Sequence, residues 1–244
     1  MLRLHTIALA IGAVVALCAT QVRADGDDRG SAYLPFSWTG LYVGANAGIG
    51  WSDSGITDVD GFAASAAPGT VTRHSQEGFT AGGQGGYNRQ SGPLVLGIEA
   101  DFGYMGIGRS RLLTGSESDT RVGEDSGAYG DLTGRMGIAA DRTLFYAKAG
   151  WGFFNGGEQF STAAPFTVGT PRGVFSGWTL GGGIEHAIKG SWSVKLEYQH
   201  FDFGTEDFAL APGTFRFRDD LQVDTVKLGF NYKYDAHEES RPLK

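Results

Sequence analysis

The residues with the most chemical potential are acids and bases standing at alternate positions among glycines and apolar side chains. Glu99, Asp101, Glu185 and Glu197 bring four carboxylates, and Arg135, Lys148, Lys195 and Lys227 bring four cations. Set on one face of a closed sheet, they would either line a narrow ion path or lock together as pairs. Buried charges are tolerated only when paired and hydrogen-bonded, which favours the second arrangement. The histidines beyond the first residues are His74, His186, His200 and His237. None has a nearby serine with which to form a nucleophile–base couple. His200 beside Asp202 is the best enzyme candidate, and His74 the best candidate for a haem ligand. Lone histidines are more often plain surface residues. Asp58-Val59-Asp60-Gly61 begins like a calcium loop but lacks the bidentate glutamate at loop position twelve. No catalytic residue, resident metal or cofactor is therefore expected.

The elements that must position these groups follow from composition. Forty of the 244 residues are glycine, about 16% against a usual ~7%. Seven prolines are too few for collagen, and 41% hydrophobic content is too apolar for a disordered chain. Glycine also disfavours long helices. The N-terminus reads as a secretory signal: Arg3 and His5, then an apolar run over 7–19, then Val22-Arg23-Ala24 as a cleavage site after Ala24. That run is shorter than the ~20 residues of a transmembrane helix. Cys18 is the sole cysteine and falls inside the signal, preceded by Leu17 where a lipoprotein signal wants a small residue. The net charge of −7 becomes −9 once Arg3 and Arg23 are removed, a poor match for nucleic acid.

Period-two alternation appears eight times: over 41–51, 79–89, 94–104, 131–139, 144–153, 178–186, 192–200 and 226–234. Each segment is close to the ~9–11 residues with which a tilted strand crosses a bilayer. The connections alternate long and short. The long ones are 52–78, 105–130, 155–177 and 202–224; the short ones are 90–93, 140–143 and 187–191. This predicts an all-β, eight-stranded antiparallel up-and-down transmembrane β-barrel. Its parts are a signal peptide (1–24), a periplasmic segment (25–36), the barrel (37–234) and a polar tail (235–244). Both mature termini are expected in the periplasm, with the long loops outside the cell. The tryptophans fall at strand ends, as interfacial girdles require: Trp38 and Trp192 at the short-turn end, Trp51, Trp151 and Trp178 at the loop end. Trp38 is out of phase with the apolar face of its strand, so pattern alone does not set its direction.

The apolar faces must then point to lipid. The opposite faces carry Asn46, Gln84, Asn88, Asn231 and the eight charged residues into a lumen just wide enough for side chains. Four acids against four bases predict a plugged interior, with inward glycines making room for the long side chains.

Several segments carry a family resemblance. Ser37-Trp38-Thr39-Gly40-Leu41-Tyr42-Val43-Gly44-Ala45-Asn46-Ala47-Gly48 resembles the opening strand of the Omp25/Omp31-like outer-membrane proteins of alphaproteobacteria. Gly82-Gly83-Gln84-Gly85-Gly86-Tyr87-Asn88, Gly97-Ile98-Glu99-Ala100-Asp101 and Asp141-Arg142-Thr143-Leu144-Phe145-Tyr146-Ala147 resemble its later strands. So do Gly177-Trp178-Thr179-Leu180-Gly181-Gly182-Gly183-Ile184-Glu185, Val194-Lys195-Leu196-Glu197-Tyr198 and Thr225-Val226-Lys227-Leu228-Gly229-Phe230-Asn231-Tyr232. The resemblance spans 36–234 and implies an OmpA-like barrel of the porin-like, immunogenic kind, some of whose members bind haem. It supplies no catalytic residues. The tail 235–244 departs from the family, which ends at the aromatic matching Tyr234 and is thought to be read there by the barrel-assembly machinery.

The functional expectation is a non-enzymatic outer-membrane barrel of a Gram-negative cell that supports envelope integrity and surface interaction. Its partners would be outer-membrane lipid, lipopolysaccharide, the assembly machinery and an unidentified extracellular ligand of the loops. Arg109, Arg111 and Arg121 share a loop with Glu117, Asp119, Glu124 and Asp125. They either bridge lipopolysaccharide phosphates or pair with one another. The alternatives are a loop receptor for haem or another ligand, a small-solute conduit and a lipid-modifying enzyme.

Overall fold

The computed structural model describes residues 36–60, 67–107, 111–113, 120–124, 126–161, 172–210 and 215–234. The proposed signal peptide, the tail and the tips of the long connections lie outside them.

Eight long strands form the wall: β1 (Gly40–Asp58), β2 (Thr70–Ser91), β3 (Leu94–Gly106), β6 (Gly127–Ala140), β7 (Thr143–Ser161), β8 (Arg172–Ala187), β9 (Trp192–Leu210) and β10 (Phe215–Tyr234). Two short strands, β4 (Arg111–Leu113) and β5 (Thr120–Glu124), lie between β3 and β6. Every long strand pairs antiparallel with its predecessor in the wall, β10 returns to β1, and the sheet closes on itself. Among the described residues there is no helix. Closure leaves no wall strand with an unpaired edge, the condition a sheet must meet in hydrocarbon.

The short turns obey local backbone chemistry. Ser91 pairs with Leu94 across a two-residue turn whose first residue, Gly92, has φ +59°. Glycine meets that demand at no steric cost. Ala140 pairs with Thr143 across Asp141 and Arg142, and Asp141 takes the left-handed conformation with φ 52°. Aspartate is among the few other residues that visit this region routinely.

The other end departs from the sequence reading. The long loops expected over 52–78 and 202–224 are largely strand: β1 and β2 pair as far as Asp58 and Thr70, and β9 and β10 as far as Leu210 and Phe215. The connection over 105–130 holds β4 and β5, and β5 pairs with the far part of β7 from Glu124↔Glu158 to Arg121↔Ser161. The physical reason is that alternation marks a strand only while one face meets an apolar phase. Beyond that zone both faces can be polar, and the backbone ladder continues without a side-chain signature.

Outward positions are apolar: Ile49, Ile98, Leu132 and Phe230 are each more than half exposed. The core of the molecule is its lumen.

Candidate functional site

The lumen has three layers. In the middle one, strand alternation turns Glu99 and Asp101 (β3), Arg135 (β6), Lys148 (β7), Glu185 (β8), Lys195 and Glu197 (β9) and Lys227 (β10) inward. All eight are buried, as are Asn46, Gln84, Asn88 and Asn231.

Lys148 is the hub. Its ammonium lies 2.9 Å from Glu99 Oε1, 3.0 Å from Asp101 Oδ2 and 3.0 Å from Glu197 Oε1. Lys195 reaches Glu99 at 3.3 Å and Glu197 at 3.2 Å. Lys227 reaches Glu197 at 3.2 Å, stands 3.7 Å from Asp101 and donates to Gln199 Oε1 at 2.8 Å. Arg135 extends the lattice towards the short-turn end, 2.9 Å from Glu185 Oε2. Glu185 Oε1 accepts from Ser193 at 2.6 Å and from Asn231 at 2.7 Å. The Asn231 Oδ1 in turn accepts from Gln84 Nε2 at 2.6 Å.

Two tyrosines complete it. The Tyr42 hydroxyl donates to Glu99 Oε2 at 2.7 Å and accepts from Arg135 at 2.9 Å. The Tyr146 hydroxyl donates to Glu197 Oε2 at 2.7 Å, and its ring stacks 4.0 Å from the Arg135 guanidinium. Glycine makes room for both. A Cβ on Gly86 would sit 2.5 Å from the Tyr42 hydroxyl, and one on Gly183 would sit 2.8 Å from that of Tyr146.

Apolar clusters lie on each side of the charged layer. At the loop end Met105, Ile107, Tyr129, Phe201, Phe203, Leu221 and Val223 pack together inside the wall, with Phe154 and Phe175 against them. At the short-turn end Trp38, Val95, Leu144, Tyr146 and Ala187 do the same, with Phe36 and Ala139.

The carboxylates of Glu99, Asp101 and Glu197 converge within 4.8 Å, close enough to hold a metal ion. Three lysine ammoniums already occupy the positions from which a cation would neutralise them. The chemistry of the donor set is therefore that of a satisfied ion-pair lattice.

Among the tryptophans, Trp151, Trp178 and Trp192 are exposed on the outer wall and Trp51 is half-buried there. Trp38 is a correction to the girdle: it is only 3% exposed. It precedes β1, so the strand's alternation does not govern it. Its backbone N–H donates to Gln90 Oε1 at 2.8 Å, and Phe36 beside it lies under Lys233, 4.6 Å from Nζ to ring centroid. The indole thus folds under the lumen.

His200 does not use Asp202. Its Nδ1 lies 2.9 Å from Asp224 Oδ1, which also accepts from the Tyr198 hydroxyl at 2.5 Å. His186 Nδ1 contacts Thr143 Oγ1 at 3.0 Å. His74 lies in β2 opposite Ser54, its side chain outside the described residues, as is His237. Asp58 is buried and pairs with Thr70, while Gly61 of the calcium-like motif lies outside the described residues. Arg109, Glu117, Asp119 and Asp125 also lie outside them. Arg111, Arg121 and Glu124 fall in β4 and β5, with their side chains not described.

Sequence reasoning omitted Tyr42, Tyr146, Gln199 and Asp131 from the lumen set. Each shares its strand's inward parity, so the signal was there: Asp131 alternates with Thr133 and Arg135, and Gln199 with Lys195 and Glu197.

Comparison with known proteins agrees with this architecture. The family model for the outer membrane protein beta-barrel domain matches residues 10–234. The 31 kDa outer-membrane immunogenic protein of Brucella melitensis is 31% identical over 215 residues, covering 82% of this chain and 85% of that one. The 22 kDa outer membrane protein of Rhizobium leguminosarum is 30% identical over 200 residues, covering 81% and 79%. Among solved structures, the outer membrane protein OprG of Pseudomonas aeruginosa is 13% identical with a TM-score of 0.43, covering 80% of this chain and 97% of that one. The chain, a closed eight-stranded antiparallel barrel, belongs to the outer membrane protein beta-barrel family and is an outer-membrane protein.

Proposed function

We propose that this protein is a non-enzymatic barrel with a plugged lumen, which contributes to envelope integrity and presents its loop end for surface interaction. The observation that carries the reading is the lattice centred on Lys148, Glu99 and Glu197, whose side chains have no exposed surface. An eight-stranded barrel has little interior to spare, and the paired charges between two apolar clusters support the plugged reading. Opening a path would expose charges whose pairing offsets a large desolvation cost. In this reading the short-turn end and both mature termini face the periplasm, as the asymmetry of turn lengths favours. The long strand ends then stand above the outer leaflet. The word "immunogenic" in the name of the Brucella relative fits a surface-exposed end.

Planar-bilayer recording of the refolded protein tests the plug. The expected result is a quiet membrane, and steady openings of porin size overturn it. Deletion of the gene tests the role: increased sensitivity to detergent and bile salts is expected, and unchanged permeability together with unchanged surface binding overturns it.

A further inference from the structure

The charges outside the lumen are divided unevenly between the two ends of the barrel. The four long connections, 52–78, 105–130, 155–177 and 202–224, carry fifteen acids against seven lysines and arginines. The short-turn end is the reverse. Arg89 stands just before the β2–β3 turn, Arg142 lies in the β6–β7 turn, Lys189 lies in the β8–β9 turn, and Lys233 stands at the seam of β10 with β1. Each short turn, and the seam, thus adds one cation to a ring around this mouth of the barrel. Among the described residues, the one acid at this end outside the lumen is Asp141.

Two of the four cations are engaged by the protein. Arg142 donates to the carbonyl oxygens of Ala187 and Ile188, both at 2.9 Å. Lys233 donates to the Ser37 carbonyl oxygen and lies over the Phe36 ring. Arg89 and Lys189 are exposed and make no ion pair with any described residue. Arg89 shares the outward face of β2 with Tyr87. Lys189 sits in a tight turn, where the Ile188 N–H donates to the Trp192 carbonyl at 2.9 Å and Gly190 has φ +59°. Ile188 and Trp192 flank it, each 52% exposed. A cation between exposed apolar side chains buries its stem at a membrane surface and keeps its charge among the headgroups.

We propose that Arg89 and Lys189, in the field of Arg142 and Lys233, gather anionic glycerophospholipids around the short-turn end. Both residue types bind phosphate oxygens, and arginine does so bidentately. A zwitterionic headgroup brings an ammonium along with its phosphate, and the ring offers only Asp141 to receive it. An anionic headgroup brings no such cation. That these lipids belong to the periplasmic leaflet rests on the orientation proposed above; the selection itself rests on the ring and the lipid-facing wall.

The test is quenching of Trp192 by lipids with brominated chains. The full chain with Trp51→Phe, Trp151→Phe and Trp178→Phe keeps Trp192 on the wall and Trp38 buried, away from lipid. It is refolded into phosphatidylcholine vesicles holding a minor share of phosphatidylglycerol, with bromine on one lipid or on the other. Quenching by phosphatidylglycerol is expected to exceed its share of the bilayer by up to about fivefold at low salt. Raising sodium chloride should bring it down towards that share. Adding Arg89→Gln and Lys189→Gln should abolish the excess, and both side chains are exposed, so the barrel should still fold. Quenching in proportion to lipid share in the parent protein overturns the selection, as does an excess that survives both substitutions. The leaflet is tested separately with Lys189→Cys, which should resist a membrane-impermeant maleimide in intact cells. Labelling there overturns the leaflet and the proposed orientation, and leaves the vesicle result standing.

Discussion

Lys148 Nζ lies 2.9 Å from Glu99 Oε1, and neither side chain has any surface in contact with solvent or lipid. Lys148→Met would strip Glu99, Asp101 and Glu197 of their shared cation at once. Removing one member of a buried pair leaves an uncompensated charge and costs about 3–5 kcal/mol. Urea unfolding from micelles should show that loss. Adding Glu99→Gln to Lys148→Met should recover part of it, and additive losses would mean the two residues do not act as a pair.

The outer wall is tested by Ile98→Arg. Ile98 is 62% exposed near the middle of the stretch of β3 paired with β6, and an arginine at bilayer mid-depth in a barrel costs about 2–4 kcal/mol. Unchanged refolding stability in lipid vesicles would reverse the assignment of faces.

Gly183→Ala probes the space that Tyr146 occupies. The added methyl would sit 2.8 Å from the tyrosine hydroxyl and closer still to the Leu196 carbonyl oxygen. Overpacking of this kind costs about 1–3 kcal/mol. Combining it with Tyr146→Phe should recover only a fraction, because the backbone contact remains. Complete recovery would place all the strain on the hydroxyl.

Trp38 and Trp192 should behave differently although both stand near the short-turn end. Trp38→Ala empties a buried site among Val95, Leu144 and Ala187 and should cost about 3–5 kcal/mol. Trp192 is 52% exposed and packs on Tyr232 at 5.1 Å between centroids, so Trp192→Ala should cost roughly 1 kcal/mol. Equal losses would mean that Trp38 is not inserted.

Legibility of the fold followed the solvent boundaries. Where one face of a strand meets lipid, as at Leu94, Leu96 and Ile98, alternation marks both the strand and its inward residues Glu99 and Asp101. Polar inward side chains were legible because they contrast with that wall. Apolar inward ones were not: Met105, Phe201 and Phe203 share the inward parity, yet an apolar residue near the end of such a strand reads as lipid-facing. Trp38 escaped because it precedes the first ladder pair. The extension of β1 to Asp58 escaped because hydrogen bonding of the backbone leaves no residue pattern where both faces are wet.

The seam between β1 and β10 joins the two ends of the barrel, pairing Leu41 with Tyr234 and Asp58 with Phe217. The charge lattice crosses it, since Lys227 and Asn231 of β10 complete the contacts of Glu197, Gln84 and Glu185. Until the last strand docks, those groups in the nascent wall lack their partners, and a half-closed sheet has no comfortable resting state in hydrocarbon. The lattice thereby ties its own completion to closure of the wall: its ion pairs and hydrogen bonds are whole only once the last strand has joined the first.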